Sequence, residues 1–239
     1  MKRIYIVILA VLTVSTVAAQ KKSKNFDEVM NRAGDHLMIQ LSNDHWLGAP
    51  DSINNRFKGL SRGFNAYVMM NKPFKSTPQL SAAFGIGIST SSMFFKNMSV
   101  DVHSLTSTLP FTNRDSLDHF KKYKLATSYL EIPVELRYTF DPLHENKSIK
   151  IALGAKVGTL LNAHTKGKSP VDKNGNSINS YIEKENSKRF VNATRLALTG
   201  RIGYGHYSLF GVYQVNTVFK SGTATDMKLL QVGLTISGL

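Results

Sequence analysis

The side chains best able to do chemistry fall at alternating positions. Glu131, Glu135 and Arg137 share one parity over residues 129 to 140, Lys150 and Lys156 one parity over the next apolar stretch, and Arg195 and Arg201 one parity further on. In an extended strand successive side chains face opposite sides, so these charges collect on one face and the intervening aliphatics on the other. Glu131 and Glu135 would stand about 13 Å apart along a strand, farther than the carboxylate pair of a retaining or an inverting glycosidase. Charges gathered inside a narrow enclosure must pair, because an isolated buried ion is strongly unfavourable. A proton or anion path would need more open space than eight closed strands provide. The seven residues are therefore expected to form a structural network lining a lumen.

A second candidate is His206-Tyr207-Ser208, which puts a His and a Ser on one face of a strand. The pair is similar to that of outer-membrane lipid A deacylases, where a downstream Glu orients the His as in serine hydrolases. Here no Glu follows Glu185, and Asp226 falls in a connector. A lipid A-modifying hydrolase is thus carried as an alternative, and the main reading is not an enzyme. FGIGIST at 84 to 90 has Gly-x-Gly without a third Gly or a following helical pattern, so nucleotide binding is unsupported. Its glycines instead relieve crowding on an inward face. The seven His are dispersed without ligand spacing. The Asn97 and Asn192 sequons mean little outside eukaryotic secretion. No catalytic residue, cofactor or metal ligand is assigned.

The elements that must hold these residues are short alternating segments. Residues 80 to 90, 129 to 140, 149 to 161 and 229 to 237 separate cleanly by parity: Leu130, Ile132, Val134, Leu136, Tyr138 and Phe140 oppose Tyr129, Glu131, Glu135, Arg137 and Thr139. Weaker alternation marks 36 to 43, 63 to 71, 192 to 204 and 207 to 219. Connectors 44 to 62, 91 to 127, 163 to 190 and 220 to 227 include the long ones, whereas 72 to 79, 141 to 148 and Gly205-His206 are short. Such asymmetry, with Pro73, Pro78 and Pro142 in the short turns, predicts an all-β fold: an eight-stranded antiparallel up-and-down transmembrane barrel with short periplasmic turns and longer extracellular loops.

The chain starts with Lys2 and Arg3, an apolar run from Ile4 to Leu12, and small residues up to Ala19. Residues 1 to 19 thus read as a signal peptide cleaved after Ala19; its core is shorter than the roughly 20 residues a spanning helix needs. No Cys is present to form a disulfide or accept a lipid. Residues 20 to 34 read as a leader or short helix capped by Asn25, either untethered or plugging the periplasmic mouth, and residues 35 to 239 as the barrel domain. No later apolar run is long enough for a helical span. The formal charge of +14 becomes +12 once Lys2 and Arg3 leave with the signal. An exported chain seldom meets nucleic acid, so outer-leaflet lipid phosphates or plain solvent answer this charge. Phe120-Lys121-Lys122-Tyr123-Lys124 and the stretch from Lys166 to Arg189 are read as basic outer loops suited to lipopolysaccharide, to an acidic protein partner or to solvent. Trp46 is read as an interfacial anchor. A monomer is expected.

The run Tyr129-Leu130-Glu131-Ile132-Pro133-Val134-Glu135-Leu136-Arg137-Tyr138 resembles the YLEIP-type strand of PorT-type outer-membrane β-barrel proteins. Leu153-Gly154-Ala155-Lys156-Val157-Gly158 and the ending Val232-Gly233-Leu234-Thr235-Ile236 are also similar. Together the likeness covers about residues 35 to 239. It implies insertion by the outer-membrane assembly machinery, which reads the last strand. Gln231, Gly233 and Ile236 fit that signal, while Gly238 stands where an aromatic is usual. The resemblance further implies, as an alternative role, an accessory component of a protein secretion or gliding apparatus, which does not transfer on fold alone.

Overall fold

The computed structural model describes residues 37–238; the signal segment and the leader lie outside them. Eight long strands make the wall: β1 (Leu37–Leu47), β2 (Arg62–Pro73), β3 (Leu80–Phe95), β6 (His119–Thr139), β7 (Ile149–Val171), β9 (Thr194–Tyr204), β10 (Tyr207–Gln214) and β11 (Lys228–Ser237). Each pairs antiparallel with its neighbours, and β1 pairs with β11 from Met38↔Ser237 to Leu47↔Lys228, so the sheet closes into a barrel. Three short pieces decorate one end: β4 (Met98–Val100) with β5 (Phe111–Asn113), and β8 (Ile182–Asn186) on the upper part of β7. A four-residue helix α1 (Asp51–Asn54) lies in the loop after β1.

Lipid-facing and lumen-facing positions alternate along every strand of such a barrel. Leu41, Val68, Ile88, Val134, Leu153, Leu198, Leu209 and Leu234, one from each of the eight strands, are all exposed. Their parity partners, among them Gln40, Tyr67, Ser89, Glu135, Lys156, Phe210 and Gln231, are buried. Chain turns sort by end. Residues 74–79, 140–148 and 205–206 connect strands at one end, and 48–61, 96–118, 172–193 and 215–227 at the other. The tightest turn places Gly205 at φ +58 between the paired Tyr204 and Tyr207, where a side chain would be strained and would press on the Asn146 carbonyl.

Several strands outrun their expected limits. β6 starts at His119, and β7 continues to Val171, so much of two expected loops is sheet. The upward extension of β3, β6, β7 and β8 stands above the apolar belt as a flap. On β7, Tyr129 opposes Leu160 and Ser128 opposes Asn162, leaving Leu161 as an unpaired extra residue. This β-bulge reverses parity: Lys156 and Leu160 face inward below it, whereas Ala163 and Thr165 do so above it. β1 is also longer than expected and carries Trp46 into the interior, 6% exposed. That corrects its assignment as an interfacial anchor: Trp46 shares the parity of the inward Gln40 and Asp44.

Candidate functional site

The lumen holds two chemically different zones. In the lower one, Arg195 pairs with Glu131 at 3.1 Å, and the Tyr67 hydroxyl donates to the other Glu131 oxygen at 2.6 Å. Lys156 donates to the Tyr67 oxygen and to Gln40 Oε1, both at 3.1 Å, with its ammonium 4.6 Å from the Tyr67 ring centre. Arg195 also donates to Ser89 and to Gln231, and Gln231 donates to both Asp44 oxygens at 3.1 Å. Asn65 joins Gln40 to Ser89. Nearer the short turns, Glu135 accepts from Arg137 at 3.0 Å and from Arg201 at 2.8 Å. Lys150 reaches Glu145 of the turn at 3.4 Å.

All seven residues singled out from the sequence thus point inward, but the structure divides them. Glu131 and Arg195 are linked through Tyr67 to Lys156, Glu135 joins Arg137 and Arg201, and Lys150 sits at the mouth. Sequence reasoning did not assign Gln40, Asp44, Asn65, Tyr67, Ser89 or Gln231 to the network that they complete. Their signal was parity on β1, β2, β3 and β11, opposite the lipid-facing Leu41, Val68, Ile88 and Leu234. Close packing explains the glycines of β3: a Cβ on Gly87 would lie 2.5 Å from the Tyr67 ring.

The upper zone is apolar. Trp46 meets Phe219, Phe57 and Phe95 at 5.3, 5.8 and 5.9 Å between ring centres, mostly edge to face. Ile53 from α1, Val100 from β4, Leu109, and Val218 and Met227 from the last loop pack around them. Backbone bonds tie the loops together, Leu109 to Thr223 at 2.7 Å and Lys220 to Phe190 at 2.9 Å. The Tyr123 hydroxyl closes the seam by accepting from the Val100 amide and donating to the Val100 carbonyl. The loops therefore fold into the mouth as a cap with its own hydrophobic core.

His206 and Ser208 share no hydrogen bond and so form no dyad. The His206 Nδ1 atom lies 2.9 Å from the Ser237 carbonyl, and Ser208 is buried in the short-turn mouth beside Arg137, Lys150 and Arg201. Among the described residues no three His, Asp or Glu side chains are grouped to hold a metal.

Outside, the stretch Phe120 to Lys124 is strand rather than loop, and its Lys122 and Lys124 join other lysines on the outward face of the flap. Lys122 stands opposite Lys168, and Lys124 opposite Lys166, which in turn stands opposite Lys184. Lys124 donates to Ser92 at 3.0 Å and lies over the Phe94 ring at 5.7 Å.

A closed sheet with an aliphatic exterior, a polar interior and loops sorted by end is the architecture of an outer-membrane β-barrel protein. The sequence matches the model of the outer membrane protein beta-barrel domain over residues 19–219, and the chain belongs to that family. Its place is the outer membrane. Among solved structures it is similar to Ail, the attachment invasion locus protein of Yersinia pestis, in a complex with the heparin analogue sucrose octasulfate. Identity is 12% over 86% of this chain and 97% of Ail, with a TM-score of 0.38. It is also similar to Neisserial surface protein A, at 13% identity over 87% of this chain and 100% of that one, with a TM-score of 0.37. The comparison with curated proteins yields no match.

Proposed function

We propose that this protein is a sealed, non-enzymatic barrel that acts from its outer surface, touching lipopolysaccharide through the basic flap. The observation that carries this reading is the doubly closed interior: salt-bridged side chains fill one half and packed aromatics the other. With no open path through the lumen, the surface left to meet other molecules is the flap and the loop tips. Conductance and lipid binding test the two parts. In planar bilayers the protein should pass no steady current, and in nanodiscs it should retain lipopolysaccharide in preference to phosphatidylglycerol. Stable single-channel openings would overturn the sealed reading, and equal retention of both lipids would overturn the lipid reading.

A second reading, an accessory subunit of a secretion apparatus in the manner of PorT-type barrels, has one observation in its favour. Strand β8 ends the sheet order, so its outer edge has no strand partner among the described residues and can accept a strand from another protein. Crosslinking from residues on β8 in whole envelopes should capture secretion components if this reading holds, and lipid alone if it does not. Export through a signal peptide cleaved after Ala19 belongs to both readings and is checked by sequencing the mature N-terminus. For the hydrolase alternative, Ser208→Ala in cells is expected to leave the lipid A mass spectrum unchanged.

A further inference from the structure

Lys122, Lys124, Lys166, Lys168 and Lys184 form a ladder in which like charges stand directly across from one another on three adjacent strands. Opposed side chains in a sheet come within about 5 Å at their Cβ atoms, and like charges so placed destabilise the pairing. The nearest carboxylates of the flap do not relieve this. Glu183 and Glu185 stand opposite Gly167 and Thr165, on the inward parity, on the side of Tyr123. None of the five lysines takes part in an ion pair recorded among the described residues. Burial, and then Lys166 and Lys184, lower the pKa of Lys124 from its ordinary value. An assembly that concentrates cations on one face without internal counter-ions is built for an external anion.

Height identifies the source of that anion. The lipid-facing residues of β6 run from Tyr138 up to Leu130, and the small Ser128 and Ala126 then lead to Lys124. Six residues of strand at the usual rise and barrel tilt lift Lys124 about 15 Å above Leu130. Headgroups of an ordinary bilayer add only about 5 to 8 Å beyond the hydrocarbon on each side. The ladder therefore stands above the phosphates of a phospholipid, at the level of the inner sugars of a glycolipid.

We propose that this ladder, with Phe94 as its apolar flank, grips the phosphate or carboxylate groups on the inner sugars of lipopolysaccharide. The proposal rests on the lipopolysaccharide reading above and specifies both the side chains and the part of the lipid.

The test uses the full mature protein and a Lys124→Gln/Lys166→Gln/Lys184→Gln variant in nanodiscs. The lipids are lipopolysaccharide with its inner core, lipid A without sugars beyond the disaccharide, and phosphatidylglycerol. Lys72→Gln/Lys75→Gln, at the opposite end of the barrel, serves as the control, and heat-modifiable migration verifies folding. If the triple variant does not fold, Lys166→Gln replaces it. With about fivefold per lysine, the triple variant should bind core-bearing lipopolysaccharide on the order of 100-fold more weakly, and the control should match the parent. Unchanged binding by the variant, with the parent still preferring lipopolysaccharide, overturns the ladder and leaves the broader reading standing. An equal loss on lipid A overturns the assignment to the inner sugars. A parent that binds all three lipids alike overturns both readings.

Discussion

The two halves of the barrel interior solve one problem by opposite means. Below, where lipid surrounds the wall, the lumen is filled by ions that neutralise one another; above, beyond the belt, it is filled by aromatic rings. A closed eight-stranded barrel has just enough room for its inward side chains, so either filling excludes a channel. The difference lies in how each tolerates damage. An ionic filling is unforgiving, because removing one partner leaves the other charge stranded in a poorly solvated site. An aromatic filling loses contact area in proportion to what is removed and can partly collapse.

The largest effect should come from Glu135→Gln, which keeps the shape but takes from Arg137 and Arg201 their shared carboxylate. The expected cost is about 3 to 5 kcal/mol, read as a lower urea midpoint in lipid vesicles. A cost below that of Trp46→Ala would remove the contrast between the halves. Trp46→Ala should cost about 3 kcal/mol and act on the cap alone. Protease should then cut residues 101–108 faster, while the barrel still migrates as a folded species. The same variant should remain non-conducting, since Tyr67, Lys156 and Arg195 still fill the lower lumen.

Gly87→Ala comes next, at about 1 to 3 kcal/mol, because its Cβ would push on the Ala66 carbonyl and on the Tyr67 ring that carries the bond to Glu131. Destabilisation without loss of cap packing, followed by Trp46 fluorescence, would sharpen the division. The smallest effect concerns the loop surface, where the Arg56 guanidinium, with help from Asn97, holds the Asp115 carboxylate well below the usual aspartate range. A depressed folded pKa means that the contribution of this pair is complete above about pH 4 and is lost as the pH falls through the lowered value. Carbon NMR should show Asp115 titrating below pH 3.9 in the parent and near it in Arg56→Ala.

Parity made the lower barrel legible. Lys156, Arg195 and Arg201 could be assigned to the inside because each has the opposite parity to the aliphatic residues beside it, Val157, Leu196 and Ile202. The flap was less legible: on β6 its outward face is Lys122, Lys124, Ala126 and Ser128 rather than large aliphatics, so an alternating strand has the average polarity of a loop. The bulge at Leu161 then broke the alternation where β7 leaves the belt. Trp46 was misplaced because its strand was ended at residue 43, and an aromatic just past a strand end fits an interfacial belt equally well. The cap was hidden for another reason. Val100, Leu109 and Met227 lie in connectors without periodicity, Phe219 ends a segment that alternates only weakly, and they meet only when the barrel brings distant loops to one mouth.

Leu161 has a consequence out of proportion to its size. By inserting itself without a partner, it lets one uninterrupted ribbon of chain obey two sorting rules, one written for acyl chains below and one for water and sugar above. Deleting it would let Asn162 follow Leu160 in unbroken register with Ser128, so Thr165 would stay inward, Lys166 and Lys168 would stay outward, and only the local kink would go. Were Leu161 instead to pair with Ser128, every residue above it would slip by one and change faces, so a whole recognition surface hangs on one residue that stays out of the ladder and does none of the recognising.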